Sequence, residues 1–334
     1  MRHPSRRKLL PLAALVPLAA VALLAQTARK APEPPSQEEG RAIIRTDVRI
    51  VPLYVSVLDH NGHQILDLKQ QAFTVTENGV KQNIQQFKRE DVPVAMGLIV
   101  DNSGSMRDKR AKVEDAALTL AKESNSDDEA FVVNFNDEAY LDLDPGMDFT
   151  NDIKVLERAL TRIDSKGGTL LYDTIKMSID YLKAKAHRDK KVLVVITDGE
   201  DNASQIKLEG LVKEAQQSEV LIYAVGLLAE DSRAEARNAR HALEALAEAT
   251  GGESYFPKEL AEVDSEAHQV ARDIRSQYIV QYSPSNEAMD GSYRQIKVSV
   301  NAPGRPTVRT RSGYYATPDR QSPSPPAGAT KLKR

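Results

Sequence analysis

The pattern of apolar and polar positions divides the chain into a central region and two flanks of different periodicity. In residues 41–92, apolar and polar residues alternate in "VRIVPLYVSVLD", and two Asn-Gly dipeptides mark hairpin turns. The strand pattern returns in residues 277–316, in "QYIVQYSP", "YRQIKVSVNAPG" and "TVRTRSGYY". We expect an N-terminal β module whose strands pair with the C-terminal ones in a small antiparallel β domain.

The region between the flanks, residues 93–276, alternates apolar runs with amphipathic stretches. The strand-like runs are rich in Val and Ile: "VAMGLIVD", "EAFVVNFN", "KKVLVVITD" and "EVLIYAVGL". Helix-like stretches such as "NDIKVLERALTRI" separate them. This alternation predicts a doubly wound, mostly parallel sheet of Rossmann-like type. The predicted fold class is therefore α/β, with this domain inserted between the two halves of the antiparallel β domain.

The two ends of the chain differ from the rest in composition. Residues 1–28 begin with basic residues and continue into an apolar run, Leu9–Ala25, which is typical of a secretory signal peptide. The run is short for a membrane span, although an uncleaved N-terminal anchor stays an alternative. Residues 29–40 are rich in Pro and Glu and predict a linker, and residues 317–334 predict a disordered tail. We therefore expect export to the periplasm, the cell envelope or the extracellular space.

The amino-acid composition indicates which classes of binding partner to expect. The 334 residues are 41% hydrophobic and 28% charged, with a formal net charge of −3. Loss of the leader would remove four basic residues and no acidic ones, leaving about −7. A net acidic chain lacks the basic character of nucleic-acid-binding proteins, so we expect no nucleic acid partner. The absence of cysteine excludes disulfides and a lipoprotein attachment site.

Oxygen-bearing side chains follow two predicted strands and one glycine-rich loop. Asp101, Ser103 and Ser105 stand where "VAMGLIVD" ends, Asp198 closes "KKVLVVITD", and Thr169 follows a Gly-Gly pair. In open α/β sheets, ligands bind beyond the carboxyl ends of the strands. Oxygen ligands suit a hard cation such as Mg²⁺. These five residues are therefore the predicted metal ligands.

The motif D-x-S-x-S, a distant Thr after Gly-Gly and a distant T-D-G together resemble the metal-ion-dependent adhesion site of von Willebrand factor type A (VWA) domains. The resemblance covers about residues 92–276. The flanking "FTVTENGVKQNIQQF", "QYIVQYSPSNEAMDGSYRQIKVSV" and "RTRSGYY" resemble the secreted acidobacterial VWFA-related family. The resemblance implies Mg²⁺, with Mn²⁺ or Ca²⁺ as substitutes, and an open coordination position for an Asp or Glu carboxylate of a partner protein. It implies adhesion rather than catalysis, and membrane contact only through an uncleaved leader.

Three other interpretations stay open. The D-x-S-x-S segment alone is also typical of a turn that caps a helix starting near Arg107. A metal-dependent hydrolase would use the same site with Asp201 as its base, although the chain lacks a G-x-S-x-G elbow, a Walker loop and an H-E-x-x-H motif. The third interpretation is an envelope scaffold whose site is rarely used. We expect a binding module that is not an enzyme.

Overall fold

The computed structural model describes residues 49–161, 165–228, 233–318 and 332–333. The predicted signal peptide, the predicted linker and most of the predicted tail lie outside these residues. All described residues belong to one compact unit, Asp47–Arg334. None of the helices in this part of the chain combines the length and the apolar character that a membrane crossing requires.

Strands and helices alternate through the middle of the chain, as the pattern predicts. The strands, in chain order, are β1 (Val51–Leu58), β2 (Phe73–Glu77), β3 (Val80–Lys81), β4 (Ile84–Lys88), β5 (Val94–Asp101), β6 (Glu129–Phe135), β7 (Ala139–Leu141), β8 (Lys190–Thr197), β9 (Val220–Gly226), β10 (Ser254–Tyr255), β11 (Tyr278–Tyr282), β12 (Tyr293–Val300), β13 (Thr307–Arg309) and β14 (Gly313–Tyr315). The α-helices are α1 (Arg110–Lys122), α2 (Ile153–Leu160), α3 (Leu171–Lys185), α4 (Leu208–Ser218), α5 (Arg233–Thr250) and α6 (Val263–Arg275).

The central sheet has six strands in the order β10-β9-β8-β5-β6-β7. All neighbouring pairs are parallel except β6 and β7. Helix α1 packs against α2 and α6, while α4 packs against α3 and α5, so helices flank the sheet. Strand β5 is buried along its whole length, which explains its uninterrupted apolar sequence. The predicted α/β fold class is confirmed.

The chain leaves β5 toward β6 and later returns to β8 on the other side of β5. The strand order therefore reverses between β5 and β8. In sheets of this kind a crevice opens at that point, beyond the carboxyl ends of the two strands. Those ends carry Asp101 and Thr197, the latter followed by Asp198.

The flanking strands on either side of the α/β domain pair with one another. Strand β1 pairs antiparallel with β11, with Val51 opposite Tyr282, and β2 pairs antiparallel with β12, with Phe73 opposite Val300. The two four-stranded sheets have the orders β13-β1-β11-β4 and β14-β12-β2-β3. Their buried faces share one hydrophobic cluster, separate from that of the central sheet. The α/β domain is therefore inserted into a β domain built from both flanks.

Two residues near the C-terminus lie against the edge of the central sheet. The backbone N–H of Leu141 in β7 donates to Lys333 O over 2.7 Å, and Lys333 N donates to Ala139 O over 2.9 Å. The side chain of Leu332 packs against the core of the central sheet. These two residues differ from the expectation of disorder, because β7 offers them an unpaired edge and an apolar contact.

Candidate metal centre

Asp101 ties the ends of β5 and β8 together. Its Oδ2 accepts a 2.6 Å hydrogen bond from Thr197 Oγ1, and its Oδ1 accepts a 2.7 Å bond from the backbone N–H of Ser103. Only 1% of Asp101 is exposed. The carboxylate is thus held rigidly where β5 meets the loop that carries the two serines.

Ser105 links that loop to Asp198. Its hydroxyl donates to Asp198 Oδ1 over 2.8 Å, and its Oγ lies 3.1 Å from Ser103 Oγ. Residues Gly104–Met106 form a short 3₁₀ turn, and α1 begins at Arg110 without a side-chain cap. The predicted helix start near Arg107 is therefore three residues early, and the serine hydroxyls do not cap α1.

Thr169 reaches the same edge through its loop. Its backbone N–H donates to Asn202 Oδ1 over 2.9 Å, and Asn202 N donates back to Thr169 O over 3.1 Å. Gly104 N donates to Gly167 O over 3.2 Å, which joins this loop to the serine-bearing turn. The structure therefore brings all five predicted residues to one edge of the sheet; that they bind a metal stays a prediction.

The Gly-Gly pair before Thr169 wraps around a carboxylate that the sequence did not point to. Gly168 N donates to Asp137 Oδ1 over 2.7 Å. Gly167 has a φ of +76°, and a Cβ there would lie 2.0 Å from Asp137 Oδ2. Both the backbone conformation and the close approach require glycine at position 167. Asp137 thus shapes the loop that presents Thr169.

Burial makes the charged forms of the Asp101 and Asp198 carboxylates energetically costly. The pKa of Asp101 is raised to about 6, chiefly by desolvation and also by the nearby charge of Asp198, against the lowering effect of the hydrogen bonds from Thr197 and Ser103. Two buried carboxylates in one hydrogen-bonded cluster need a counter-charge. An all-oxygen donor set of two carboxylates and three hydroxyls fits a hard divalent cation such as Mg²⁺.

Lys109 already supplies one positive charge. Its ammonium contacts Asp198 Oδ2 and lies 3.4 Å from the carbonyl oxygen of Leu227. The Asp198 side chain is 1% exposed and that of Lys109 is 22% exposed. This lysine is not evident from the sequence, because nothing in "RDKRAK" marks which basic residue faces the site.

A surface pocket opens above these groups. Its lining includes Ser105, Lys109, Thr169 and Asp198, and it continues along the loop of residues 199–202 to the start of α5. Three further acidic residues line it: Glu200, Asp201 and Glu235. Three of the candidate ligands, Ser105, Thr169 and Asp198, therefore line a surface pocket with an acidic rim, while Asp101 and Ser103 are buried.

Asp201, the base of the hydrolase interpretation, is engaged elsewhere. Its Oδ1 accepts hydrogen bonds from the backbone N–H of Tyr172, over 3.0 Å, and from the Ser204 hydroxyl. Tyr172 lies in the first turn of α3, so this carboxylate satisfies a free N–H of the helix end. One oxygen of Asp201 is therefore engaged at the end of α3, although the residue lines the same pocket as three of the candidate ligands.

Acidic side chains elsewhere in the described part of the chain do not form a second candidate metal centre. Across the described ranges, no group of three or more His, Cys, Asp and Glu side chains could hold a metal ion. The five predicted ligands include only two residues of these types. Metal binding at this edge would therefore depend on the hydroxyls of Ser103, Ser105 and Thr169.

Comparison with known proteins agrees with this architecture. Residues 96–200 match the family model described as von Willebrand factor type A domain. The chain therefore contains a VWA domain, and that prediction is confirmed. No curated protein matches the sequence. The narrower resemblance to the acidobacterial family stays a prediction.

Solved structures with a similar fold include three bacterial proteins. A von Willebrand factor type A protein from Catenulispora acidiphila is 12% identical, with 82% of this chain and 76% of that chain covered and a TM-score of 0.48. The vWF domain of the type V pili tip protein Mfa5 from Porphyromonas gingivalis is 13% identical, with coverages of 55% and 95% and a TM-score of 0.44. An aerotolerance-related membrane protein from Bacteroides fragilis is 16% identical, with coverages of 54% and 98% and a TM-score of 0.43. These likenesses concern the fold and assign no function to this chain.

Proposed function

We propose that this is an exported binding module that recognises a partner protein through a Mg²⁺ ion. The proposed ligands are Asp101, Ser103, Ser105, Thr169 and Asp198. One observation carries the proposal: two buried carboxylates from adjacent strand ends lie in one cluster with three hydroxyls, and Asp198, Ser105 and Thr169 of this cluster line a surface pocket. Mn²⁺ and Ca²⁺ would be substitute ions.

The charge of the proposed ligands supports recognition of an acidic side chain. Asp101 and Asp198 bring two negative charges, and the three hydroxyls bring none. The ligands would therefore neutralise the charge of a bound divalent cation without giving the site a net negative charge. When bound, the ion would supply a Lewis-acidic position for one carboxylate oxygen of the partner. The protein holds its own ligands in place through Thr197, which fixes Asp101, and Ser105, which fixes Asp198.

The acidic residues around the pocket support the expectation that partner binding depends strongly on the metal. Glu200, Asp201 and Glu235 line the pocket and would repel an approaching carboxylate if no divalent cation were present. Binding of an acidic partner should therefore be lost in chelator rather than merely weakened. Export is supported by the leader, residues 1–28, alone.

The hydrolase alternative has less support, because Asp201 is engaged at the first turn of α3. A phosphatase and esterase screen with Mg²⁺ and Mn²⁺ would test it, and turnover lost in Asp101→Ala would favour it. The scaffold alternative predicts partner binding that persists in chelator.

The proposal is tested by Mg²⁺ titration calorimetry on residues 29–334, followed by capture from envelope extract with Mg²⁺ or chelator. Asp101→Ala should lose Mg²⁺ binding and capture, and Ser105→Ala should weaken both. Asp115→Ala removes an exposed carboxylate on α1 and should retain both. Circular dichroism would confirm that each variant is folded. Full Mg²⁺ affinity in both site variants would contradict the proposal.

A further inference from the structure

Lys109 contacts a candidate metal ligand in a way that the proposed function does not explain. We infer that the Lys109 ammonium is an internal cation that competes with Mg²⁺ for Asp198, so that metal uptake displaces a lysine. This inference rests on the proposed function, because it concerns the same ligands.

The contacts of Asp198 give the first argument. Its Oδ1 accepts from the Ser105 hydroxyl, and its Oδ2 is paired with the Lys109 ammonium. Both donors belong to one short segment, residues 105–109. A metal ion that binds Asp198 can share Oδ1 with the serine proton, because a carboxylate oxygen has two lone pairs, but at Oδ2 it meets the ammonium. The ammonium is the stronger competitor, since it carries the same sign of charge as the metal.

The position of Lys109 on the helix gives the second argument. It directly precedes α1, whose first turn contains no acidic residue. The N-terminal end of a helix carries a partial positive charge, so a lysine is electrostatically unfavourable there. Pairing with Asp198 compensates for that cost. A lysine at this end of α1 is therefore explained by the carboxylate and not by the stability of the helix.

The burial of the site gives the third argument. Asp101 and the side chain of Asp198 are almost fully buried, and Lys109 is the cation in contact with Asp198. Without this ammonium, Asp198 would lose the cation that it contacts, which would destabilise the fold and increase the attraction for any other cation. Lys109 thus stabilises the protein before metal binding and lowers its affinity for metal at the same time.

A displaced ammonium would still have partners in the pocket. Lys109 lines the same pocket as Glu200 and Glu235, which belong to two different segments of its wall. The flexible four-carbon stem of lysine permits such a change of partner. The displaced Lys109 ammonium would then lie beside the carboxylate of the approaching partner and would partly offset the negative charge of the acidic rim.

The test compares Lys109→Met with wild type and with Lys112→Met, which removes an exposed lysine one turn further along α1. Titration calorimetry with MgCl₂ should give a Kd at least about tenfold lower for Lys109→Met, equivalent to about 1.4 kcal/mol. In chelator, the same variant should have a lower melting temperature than wild type. Lys112→Met should match wild type in both measurements.

Further variants keep the two proposals separable. Lys109→Gln serves as a second neutral variant if Lys109→Met folds poorly, and Lys109→Arg should retain the weaker affinity because it retains the charge. Unchanged or weaker Mg²⁺ binding in both neutral variants would overturn the inference while leaving the proposed function in place. Mg²⁺ binding by the neutral variants but not by wild type would support the competition and overturn the proposed function. No Mg²⁺ binding by any variant would overturn both.

Discussion

The hydroxyl of Thr197 donates a 2.6 Å hydrogen bond to the buried Oδ2 of Asp101, and this bond joins the last residues of two adjacent parallel strands. The bond also lowers the pKa of Asp101 against the opposing effect of burial. It therefore favours the ionised form of a carboxylate on which the candidate metal centre depends.

Removal of this hydroxyl should destabilise the domain. Thr197→Val keeps the shape of the side chain but leaves Asp101 Oδ2 without its donor, at a cost of about 1–3 kcal/mol in the free energy of unfolding. Urea denaturation in chelator measures the difference. Thr197→Ser retains the hydroxyl and should lie much closer to wild type. Equal stability of the Val variant and wild type would show that another group satisfies Asp101.

Lys190 should make stability depend on pH in the alkaline range. It is buried, its Nζ donates to Ile274 O at the end of α6, and it lies 4.8 Å from the centre of the Tyr54 ring. Desolvation, aided by the charge of Arg275, lowers its pKa to about 7, against the opposing charges of Asp91 and Asp128.

The unfolded chain keeps an ordinary lysine pKa near about 10.4, so it binds this proton between about pH 7 and 10 whereas the folded protein does not. The free energy of unfolding should therefore rise across that interval as the pH increases. Urea denaturation at several pH values should show this rise in wild type and a smaller one in Lys190→Met. Lys191→Met, at the partly exposed neighbouring position, should behave as wild type. A rise of equal size in Lys190→Met would contradict the prediction.

Alanine at position 167 should disturb the loop that carries Thr169. Gly167→Ala places a Cβ against the Asp137 carboxylate and forces alanine into a positive φ, so we expect about 2 kcal/mol or more of destabilisation and weaker Mg²⁺ binding. Gly146→Ala is the matched control, because Gly146 has a φ of +88° but nothing within 4 Å of the added Cβ. It should show the backbone cost of about 1 kcal/mol alone. Calorimetry and urea denaturation would measure both effects, and identical results for the two variants would exclude a role for Asp137.

The contact between the C-terminus and β7 should be visible in hydrogen exchange. Deletion of residues 332–334 removes the acceptor of the Leu141 amide, which should then exchange faster. The amide of Asp142 donates to Val132 O inside the sheet and provides an internal control whose rate should not change. Unchanged protection of Leu141 after the deletion would show that the tail does not cover this edge in solution.

Much of the architecture could be predicted because strand ends are visible in the sequence. The apolar runs that end in Asp101 and Asp198 locate two strand ends, and the alternating flanks indicate a second, antiparallel domain. Lys109 and Asp137 could not be found in this way. The partner of Lys109 is a carboxylate in a distant segment, and the partner of Asp137 is a backbone amide in another. The position of Lys109 also depends on the exact residue at which α1 begins after the 3₁₀ turn. The edge contact of Leu332 and Lys333 depends on two residues in a tail whose composition is otherwise typical of disorder.

The pairing of β1 with β11 and of β2 with β12 has a consequence for the order of assembly. During synthesis the N-terminal strands emerge first, but their partners follow only after the whole α/β domain. The continuous domain can therefore fold while β1 and β2 still expose unpaired edges. A chain cut short after α6 would keep those edges permanently open to proteases. Closure of the β domain thus requires the strands that follow α6.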